Sequence, residues 1–429
     1  MSDFLINLNL IFHYLWQVIK NWWWLFLPFY LYPKLIDQYL WFIQEKWDSK
    51  IKKVFLEIKL PKEIKKPIKA MEQIFADFHG LHDIPTWREV WIEGQFQLGL
   101  SLEIVSRAGK IHFYIRTPEM FKDFIVSNIY AQYPEAEIST VEDYTKSVPL
   151  DIPNKDWDIW GVDYVNAKDD IYPIKTYSKF EDEKETKKET ITDPLSNLLE
   201  GMSDLRPGEQ MWYQVVIKPV LGRDFPWQEK GKKLVDKLVG RAEKEKSKSI
   251  PRQIYELLFL AKAPGETIKK EADVIPPEMK LTPGETEVIS AVEEKLSKFG
   301  YKCNCRVIYL GKRDVFFKPR VKTFFGFFKT ISTENLGGLK PWSKTLTKSK
   351  SVLFWFLDKR ILYFRQRRIF RNYKMRTPPL FPRPGGIFVL NTEELATLYH
   401  FPGEAAAPTV GISRVEIKKG VAPIELPTE

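Results

Sequence analysis

The residues of this chain that could do chemistry are few, and their spacing does not build a catalytic site. Gly-Lys pairs begin at Gly109, Gly231 and Gly311, but none is followed by the Ser or Thr that a phosphate-binding P-loop requires. The Gly-x-Ser-x-Gly motif of a serine nucleophile does not occur either. We therefore expect a protein that is not an enzyme and that uses no cofactor.

The histidines and cysteines predict no metal site. His79 and His82 lie three residues apart, but two ligands alone bind a metal poorly, so we expect a role at a helix end or in a loop. Cys303 and Cys305 are the only cysteines, and they alternate within a predicted strand. Because alternate residues of a strand share a face, the two thiols are predicted to be neighbours, buried in a protein of a reducing compartment.

The segment 340–376 has the strongest charge pattern of the chain. It holds twelve basic residues and one acid, Asp358, in a protein whose formal net charge is +10. Aromatic residues are interleaved with the cations, which is typical of a surface for anionic lipid or for single-stranded nucleic acid. A helix with a buried aromatic side, or a surface for a protein partner, would show the same pattern. The candidate binding residues are Lys359, Arg360, Arg365, Arg367, Arg368, Arg371, Lys374 and Arg376.

Residues 1–46 are predicted to be a helical membrane anchor. The stretch from Phe4 to Tyr32 is long enough to span a bilayer if Lys20 lies at the interface, and it could equally lie in the membrane plane. The alternative is a buried core helix. Basic residues follow this stretch and none precedes it, so we expect the rest of the chain on the cytoplasmic side of the inner membrane. The candidate anchor residues are Trp16, Trp22, Trp23, Trp24, Phe26 and Phe29.

Residues 53–176 are predicted to form a first α+β domain with the element order β-α-β-β-α-β, which is the ferredoxin-like order. Two alternating runs joined by Ala108-Gly109 predict a hairpin. Thr117-Pro118 predicts a helix start, with Thr117 as the cap. The predicted elements are a strand at Val54–Leu60, a helix from Pro67, the hairpin at Ser101–Arg116, the helix from Thr117 and a strand at Ala136–Val141.

The remainder of the chain is predicted to repeat this order more loosely. A charged linker, 177–208, leads into a second α+β domain, 209–403, which contains the basic insertion 340–376, and an extended tail, 404–429, follows. The fold class is therefore α+β, with two ferredoxin-like halves after the anchor. Within the second half, the predicted elements are strands at Gln210–Pro219 and Tyr301–Leu310, helices from Trp227 and Thr282, and a helix capped by Asn391 and Glu394.

Three stretches resemble the uncharacterised, membrane-associated amino-terminal region of bacterial conjugative-transfer ATPases of type IV secretion systems. They are LEIKLPKEIKKPIKAMEQIF at Leu56–Phe75, FYIRTPEMFKDFIVSNIYAQYPEAEI at Phe113–Ile138 and FVLNTEELATLYHFPG at Phe388–Gly403, the last followed by the VEIKKGVAPIELP tail. The resemblance covers nearly the whole chain and implies membership in a DNA-transfer machine. It supplies no catalytic residue.

In those ATPases a P-loop motor domain follows the tail, whereas the present sequence ends at Glu429. The resemblance therefore implies a non-catalytic, membrane-anchored component that docks a separate motor ATPase or other subunits of a secretion machine. The alternative function is a membrane-associated nucleic-acid-binding protein that uses segment 340–376 to bind single-stranded DNA. A homo-oligomer is compatible with both hypotheses.

Overall fold

The computed structural model describes residues 2–61, 66–180, 193–221, 226–239, 281–348, 355–381, 383–403 and 412. The chain forms two compact units. Unit 1 comprises Met1–Lys53 and Asp83–Leu98, and unit 2 comprises Val54–His82 and Gly99–Glu429. The predicted anchor therefore shares its unit with a short insertion, 83–98, that lies within the predicted first domain.

Unit 1 is dominated by helix α1 (Ser2–Asp48), which continues through Pro28 and Pro33. At about 1.5 Å per residue, it is roughly 70 Å long. The insertion contains a short π-helix, Glu89–Glu93, which ends at Gly94 with a left-handed φ of 78°. Among the described residues, no helix combines the length and the apolar character needed to cross a membrane.

In the part of the chain that the structure describes, unit 2 is built on a nine-stranded antiparallel sheet. The strands of the sheet are β1 (Lys53–Lys59), β2 (Leu100–Arg107), β3 (Lys110–Pro118), β4 (Glu137–Val141), β5 (Trp157–Asn166), β6 (Glu209–Val220), β7 (Gly300–Lys312), β8 (Leu339–Pro341) and β11 (Phe388–Asn391). Their order in the sheet is β4-β1-β3-β2-β6-β7-β5-β8, and β11 pairs with the beginning of β7. A separate two-stranded ribbon consists of β9 (Leu380–Phe381) and β10 (Arg383–Pro384). The predicted α+β class is confirmed.

The described part of unit 2 also contains α-helices. They are α2 (Lys69–Phe78), α3 (Lys122–Gln132), α4 (Ser196–Ser203), α5 (Trp227–Leu238), α6 (Pro283–Ser297), α7 (Lys322–Thr330), α8 (Asp358–Met375) and α9 (Thr392–Leu398). Strands β1 to β4 have the spatial order β4-β1-β3-β2, and strands β5 to β8 have the same relative order, β8-β5-β7-β6. The second set begins with β5, which the sequence analysis did not predict, rather than at residue 209.

The two faces of the sheet are covered differently. One face packs against α2, α3, α4, α7 and α9, and the other packs against α8 and the segment 144–152. Because side chains alternate along a strand, Leu102 and Ile104 of β2 enter the first core. Their neighbours Glu103 and Val105 are fully buried on the second face, beneath α8.

The hairpin prediction is confirmed, but the predicted cap at Thr117 is wrong. Arg107 pairs with Lys110, and the turn residues Ala108 and Gly109 have φ values of 52° and 84°, as a type I′ turn requires. Strand β3 instead runs through Thr117 to Pro118, and the Thr117 hydroxyl donates to the Pro118 carbonyl. A β-branched threonine continues a strand readily, which explains the difference.

The predicted linker 177–208 contains a buried element. Helix α4 lies within this range, and its Leu198 and Leu199 are fully buried in the first core, because these apolar residues outweigh the surrounding charge. The charged stretch from Glu181 to Thr190 lies outside the described residues. So does the predicted tail 404–429, apart from Ile412, which forms an isolated parallel bridge with Ile111.

Candidate membrane-binding helix and basic groove

Helix α1 exposes large aromatic side chains. Trp16, Trp22, Trp24 and Phe29 are 54% to 77% exposed, while the side chains of the other two predicted anchor residues, Trp23 and Phe26, lie outside the described part of the structure. Removing a large apolar side chain from water contributes roughly 1.5–3 kcal/mol when burial is complete. An apolar surface of this size is typical of a membrane or protein contact rather than of a solvated helix.

The insertion 83–98 adds to this apolar surface within unit 1. The Tyr39 hydroxyl of α1 donates to the carbonyl of Trp91 (2.9 Å), which ties the insertion to the helix. Trp87 and Ile92 are 71% and 59% exposed. Sequence reasoning missed these residues, although two tryptophans four positions apart, beside charged residues, were a signal of an amphipathic turn.

Helix α8 carries the basic segment and is held in one orientation. Its buried side packs Phe370 and Tyr373 on Trp212 of β6, with ring centroids 6.3 Å and 5.2 Å apart. Gln366 donates through Nε2 to the side chain of Asp158, at 3.0 Å. The spacing of these residues, three or four apart, places them on one side of the helix and leaves the charged side outward.

The outward side of α8 forms a basic groove. The groove encloses about 510 Å³, and among the described residues its lining contains four cations and no acid. The lining residues are Leu150, Phe364, Arg367, Arg368, Phe370, Arg371, Lys374 and Met375. The guanidinium of Arg367 lies 5.7 Å from the ring centroid of Tyr363, and the ammonium of Lys374 lies 5.5 Å from that of Phe370. The groove thus combines positive charge with aromatic and apolar surface.

Four of the eight predicted binding residues are therefore in the groove and four are not. Lys359 and Arg360 are exposed on the first turn of α8 and are not among the residues that line the groove. Arg365 is directed to backbone carbonyls and donates through Nη1 to Leu346 (3.2 Å) and Lys348 (2.6 Å). Arg376 is buried, so its prediction as a binding residue does not fit its place in the fold.

Arg376 anchors the end of α8 through ion pairs. Its Nε donates to Glu103 Oε1 at 3.0 Å, and its Nη1 donates to Asp143 Oδ2 at 2.7 Å. Burial disfavours the ionised form of Asp143, but the hydrogen bonds and charge of Arg376 outweigh it and lower the pKa of Asp143. Burial disfavours the charged form of Arg376, but Glu103, Tyr144 and Asp143 outweigh it and raise the pKa of Arg376 well above its usual value. This cation is thus committed to the fold rather than to a ligand.

Other polar side chains are also buried beneath α8, next to the ion pairs of Arg376. Gln214 donates to Glu103 at 3.0 Å, and Arg306 donates to Asp163 at 2.7 Å, with both partners of the second pair fully buried. Arg306 also donates to the carbonyl of Thr377, just after α8, at 3.0 Å. Hydrogen bonds that cross from the sheet to the end of α8 fix the position of the groove.

His79 and the two cysteines lie in surroundings that suit a structural role. Burial lowers the pKa of His79, whose Nε2 lies 3.2 Å from the carbonyl oxygen of Val220. Cys303 and Cys305 are free thiols buried in the first core, as predicted, and burial raises the pKa of both. Among the described residues, no three His, Cys, Asp or Glu side chains are grouped to hold a metal ion.

A comparison with protein families shows to which family the chain belongs. The model of the family described as "Domain of unknown function (DUF8128)" matches residues 45–409. The chain therefore belongs to this family, and the matched range includes all of α8 and the groove. A search of curated proteins found no match.

Proposed function

We propose that this chain is a non-catalytic, membrane-associated component of a transfer machine of the type IV secretion kind. Helix α1 holds the protein at the inner membrane, and the α+β unit docks a separate motor ATPase on the cytoplasmic side. The observation that carries the membrane part of the proposal is the exposed aromatic surface of α1.

Physical chemistry supports this role for α1. Indole rings favour the head-group region of a bilayer, where the apolar ring is buried and the N–H remains hydrated. The tryptophans precede a group of lysines at Lys34, Lys46, Lys50, Lys52 and Lys53, which favours a cytoplasmic body. Anionic lipid on the cytoplasmic leaflet would add an electrostatic contribution of about 1 kcal/mol for each lysine near the surface.

Sequence resemblance supports the association with a transfer machine. The stretch Phe388–Gly403, which resembles the conjugative-transfer ATPases, contains β11 and all of α9. We also propose that each half of the sheet is a ferredoxin-like unit, since β1 to β4 and β5 to β8 share one relative order. A pair of such units is a rigid platform on which a partner could dock.

Co-purification tests this function. The full-length chain, tagged and expressed at native level, should be recovered in the membrane fraction. After extraction in mild detergent, we expect it to elute with an ATPase that carries a P-loop, identified by mass spectrometry. An unrelated membrane protein with the same tag is the control. Recovery wholly in the soluble fraction would contradict the membrane role, and extraction without a P-loop ATPase would contradict the docking role.

A further inference from the structure

We infer that the groove along α8 binds single-stranded nucleic acid, with phosphates on its cations and bases on its exposed rings. This inference does not rest on α1 or on the transfer machine. It rests on the arrangement of charge, aromatic surface and rigid support on the outer side of one helix.

The cations are spaced along the helix so that a polyanion can contact several at once. Arg367 and Arg371 are four residues apart, or about 6 Å along the axis, and Lys374 follows after a further 4.5 Å or so. The lining residues that the structure describes include no acid that would compete with a phosphate. The spacing therefore suits the repeated charges of a nucleic-acid backbone better than a single small anion.

Exposed rings lie beside these cations. Phe364 is 56% exposed at one end of the groove, Tyr363 of α8 is also exposed, and so is Phe356 in the short 3-10 turn just before α8. From Phe356 to Met375 this surface extends for roughly 28 Å, enough for several unstacked nucleotides. Only a single strand presents the faces of its bases to such rings, because a duplex keeps them stacked inside.

Residues outside the groove hold α8 in place. The fold uses Arg365 and Arg376 for that purpose, through backbone carbonyls and buried carboxylates. Since the inner side of the helix is fixed by Gln366, Phe370 and Tyr373, the groove cations have defined positions along the helix. The backbone that carries these cations is already ordered, so binding does not require the helix to be ordered first, which favours a binding surface over a merely solvated one.

Fluorescence anisotropy with a labelled oligothymidine tests the inference on the full-length chain in detergent. Four neutralised phosphates on a single strand give a salt slope of about −2.8, so affinity should fall about 50-fold between about 50 and 200 mM salt. The variant Arg367→Gln with Arg371→Gln should bind more weakly, and its fall over the same range should be only about sevenfold. Lys322→Gln with Lys329→Gln, which removes two exposed charges from α7 on the opposite face of the sheet, is the matched control and should bind like the wild type.

Phe364→Ala tests stacking separately from charge. We expect at least fivefold weaker binding with an unchanged salt slope, because the cations remain. Phe317→Ala is the control, since Phe317 is 57% exposed against 56% for Phe364 but lies outside the groove. Unchanged binding by Phe364→Ala would show charge attraction alone and would overturn the assignment to single strands.

Vesicles of phosphatidylcholine and phosphatidylserine distinguish a lipid ligand. If the groove binds nucleic acid, vesicle binding should be the same in the wild type and in Arg367→Gln with Arg371→Gln. Two results would overturn the inference. One is the absence of saturable oligothymidine binding at low salt, and the other is a loss in this variant of vesicle binding but not of oligothymidine binding.

Discussion

Replacement of Arg376 by alanine is expected to lower the free energy of unfolding by roughly 3–5 kcal/mol, because it leaves two carboxylates without their cation. Glu103 is fully buried and Asp143 is mostly so, and Arg376 contacts both. The substitution also removes the bonds that hold the end of α8 to the sheet, so the groove should lose its shape. Urea denaturation of the variant and the wild type measures the effect.

Two variants and a pH series make this prediction specific. Arg371→Ala, on the exposed side of the same helix, should change stability by no more than about 0.5 kcal/mol. Arg376→Lys keeps the charge but not the planar fork, so its loss should be intermediate. Because the pKa of Asp143 is lowered in the folded protein, its ion pair stabilises the fold above the pH at which an unfolded carboxyl titrates, about 3.9, and this contribution is lost as the pH falls through the folded pKa. The deficit of Arg376→Ala should therefore shrink below about pH 4; an equal deficit at all pH values would contradict the account.

The second large effect is expected at Lys295. Its replacement by methionine should lower the free energy of unfolding by roughly 3–5 kcal/mol. Its ammonium lies 3.1 Å from the carboxylate of Glu394, and both side chains are essentially inaccessible to solvent. Glu394 also closes the capping box of α9 by accepting from the backbone N–H of Asn391 at 2.8 Å. The methionine would leave a buried charge at the start of a helix in which every residue is buried.

The contribution of Glu394 to stability depends on pH in the opposite direction to the contribution of Asp143. Burial raises the pKa of Glu394, although Lys295 acts against it. A carboxyl with a raised folded pKa binds more protons in the folded than in the unfolded state, so stability rises as the pH falls through the folded pKa. Lys295→Met should thus regain stability between neutral pH and about pH 5, as followed by urea denaturation.

A double variant separates the lost charge from lost packing. Lys295→Met with Glu394→Gln retains a capping side chain but has no buried charge, so it should recover at least half of the loss and show little pH dependence. Lys322→Met, at an exposed lysine of α7, should be close to neutral. A double variant no more stable than the single one would show that packing, and not the uncompensated charge, sets the cost.

The parts of the fold that local patterns determine were predictable. The hairpin of β2 and β3 follows from alternation and from Ala108-Gly109, and the caps at Thr282 and Asn391 follow from a capping box within four residues. Strand β5 was missed because its sequence, WDIWGVDYVN, mixes acids and glycine with apolar residues. Its Asp163 is buried only because Arg306 of β7 lies beside it, which no local pattern reveals.

The candidate site shows the same limit. The charge of segment 340–376 was evident from composition, but the use of each cation depends on distant residues. Arg376 meets Glu103 across 273 positions and Asp143 across 233. Composition also does not indicate that Leu150, from a separate segment, lines the same groove as the α8 cations. The sequence therefore predicts a basic surface, while the fold brings Arg367, Arg368, Arg371 and Lys374 together in the lining of one groove.

Flotation of the full-length chain on phospholipid vesicles tests the membrane role of α1 most directly. The test variant replaces Trp16, Trp22, Trp24 and Phe29 by glutamine, and the matched control replaces Met120, Tyr130, Phe317 and Ile387, which are exposed apolar side chains of unit 2. Even half of the lower figure for burial, about 0.75 kcal/mol for each of four side chains, lowers partitioning roughly a hundredfold. We predict that the wild type and the control float with the vesicles and that the α1 variant stays at the bottom of the gradient. A wild type that stays at the bottom, or an α1 variant that floats like the control, would contradict the account.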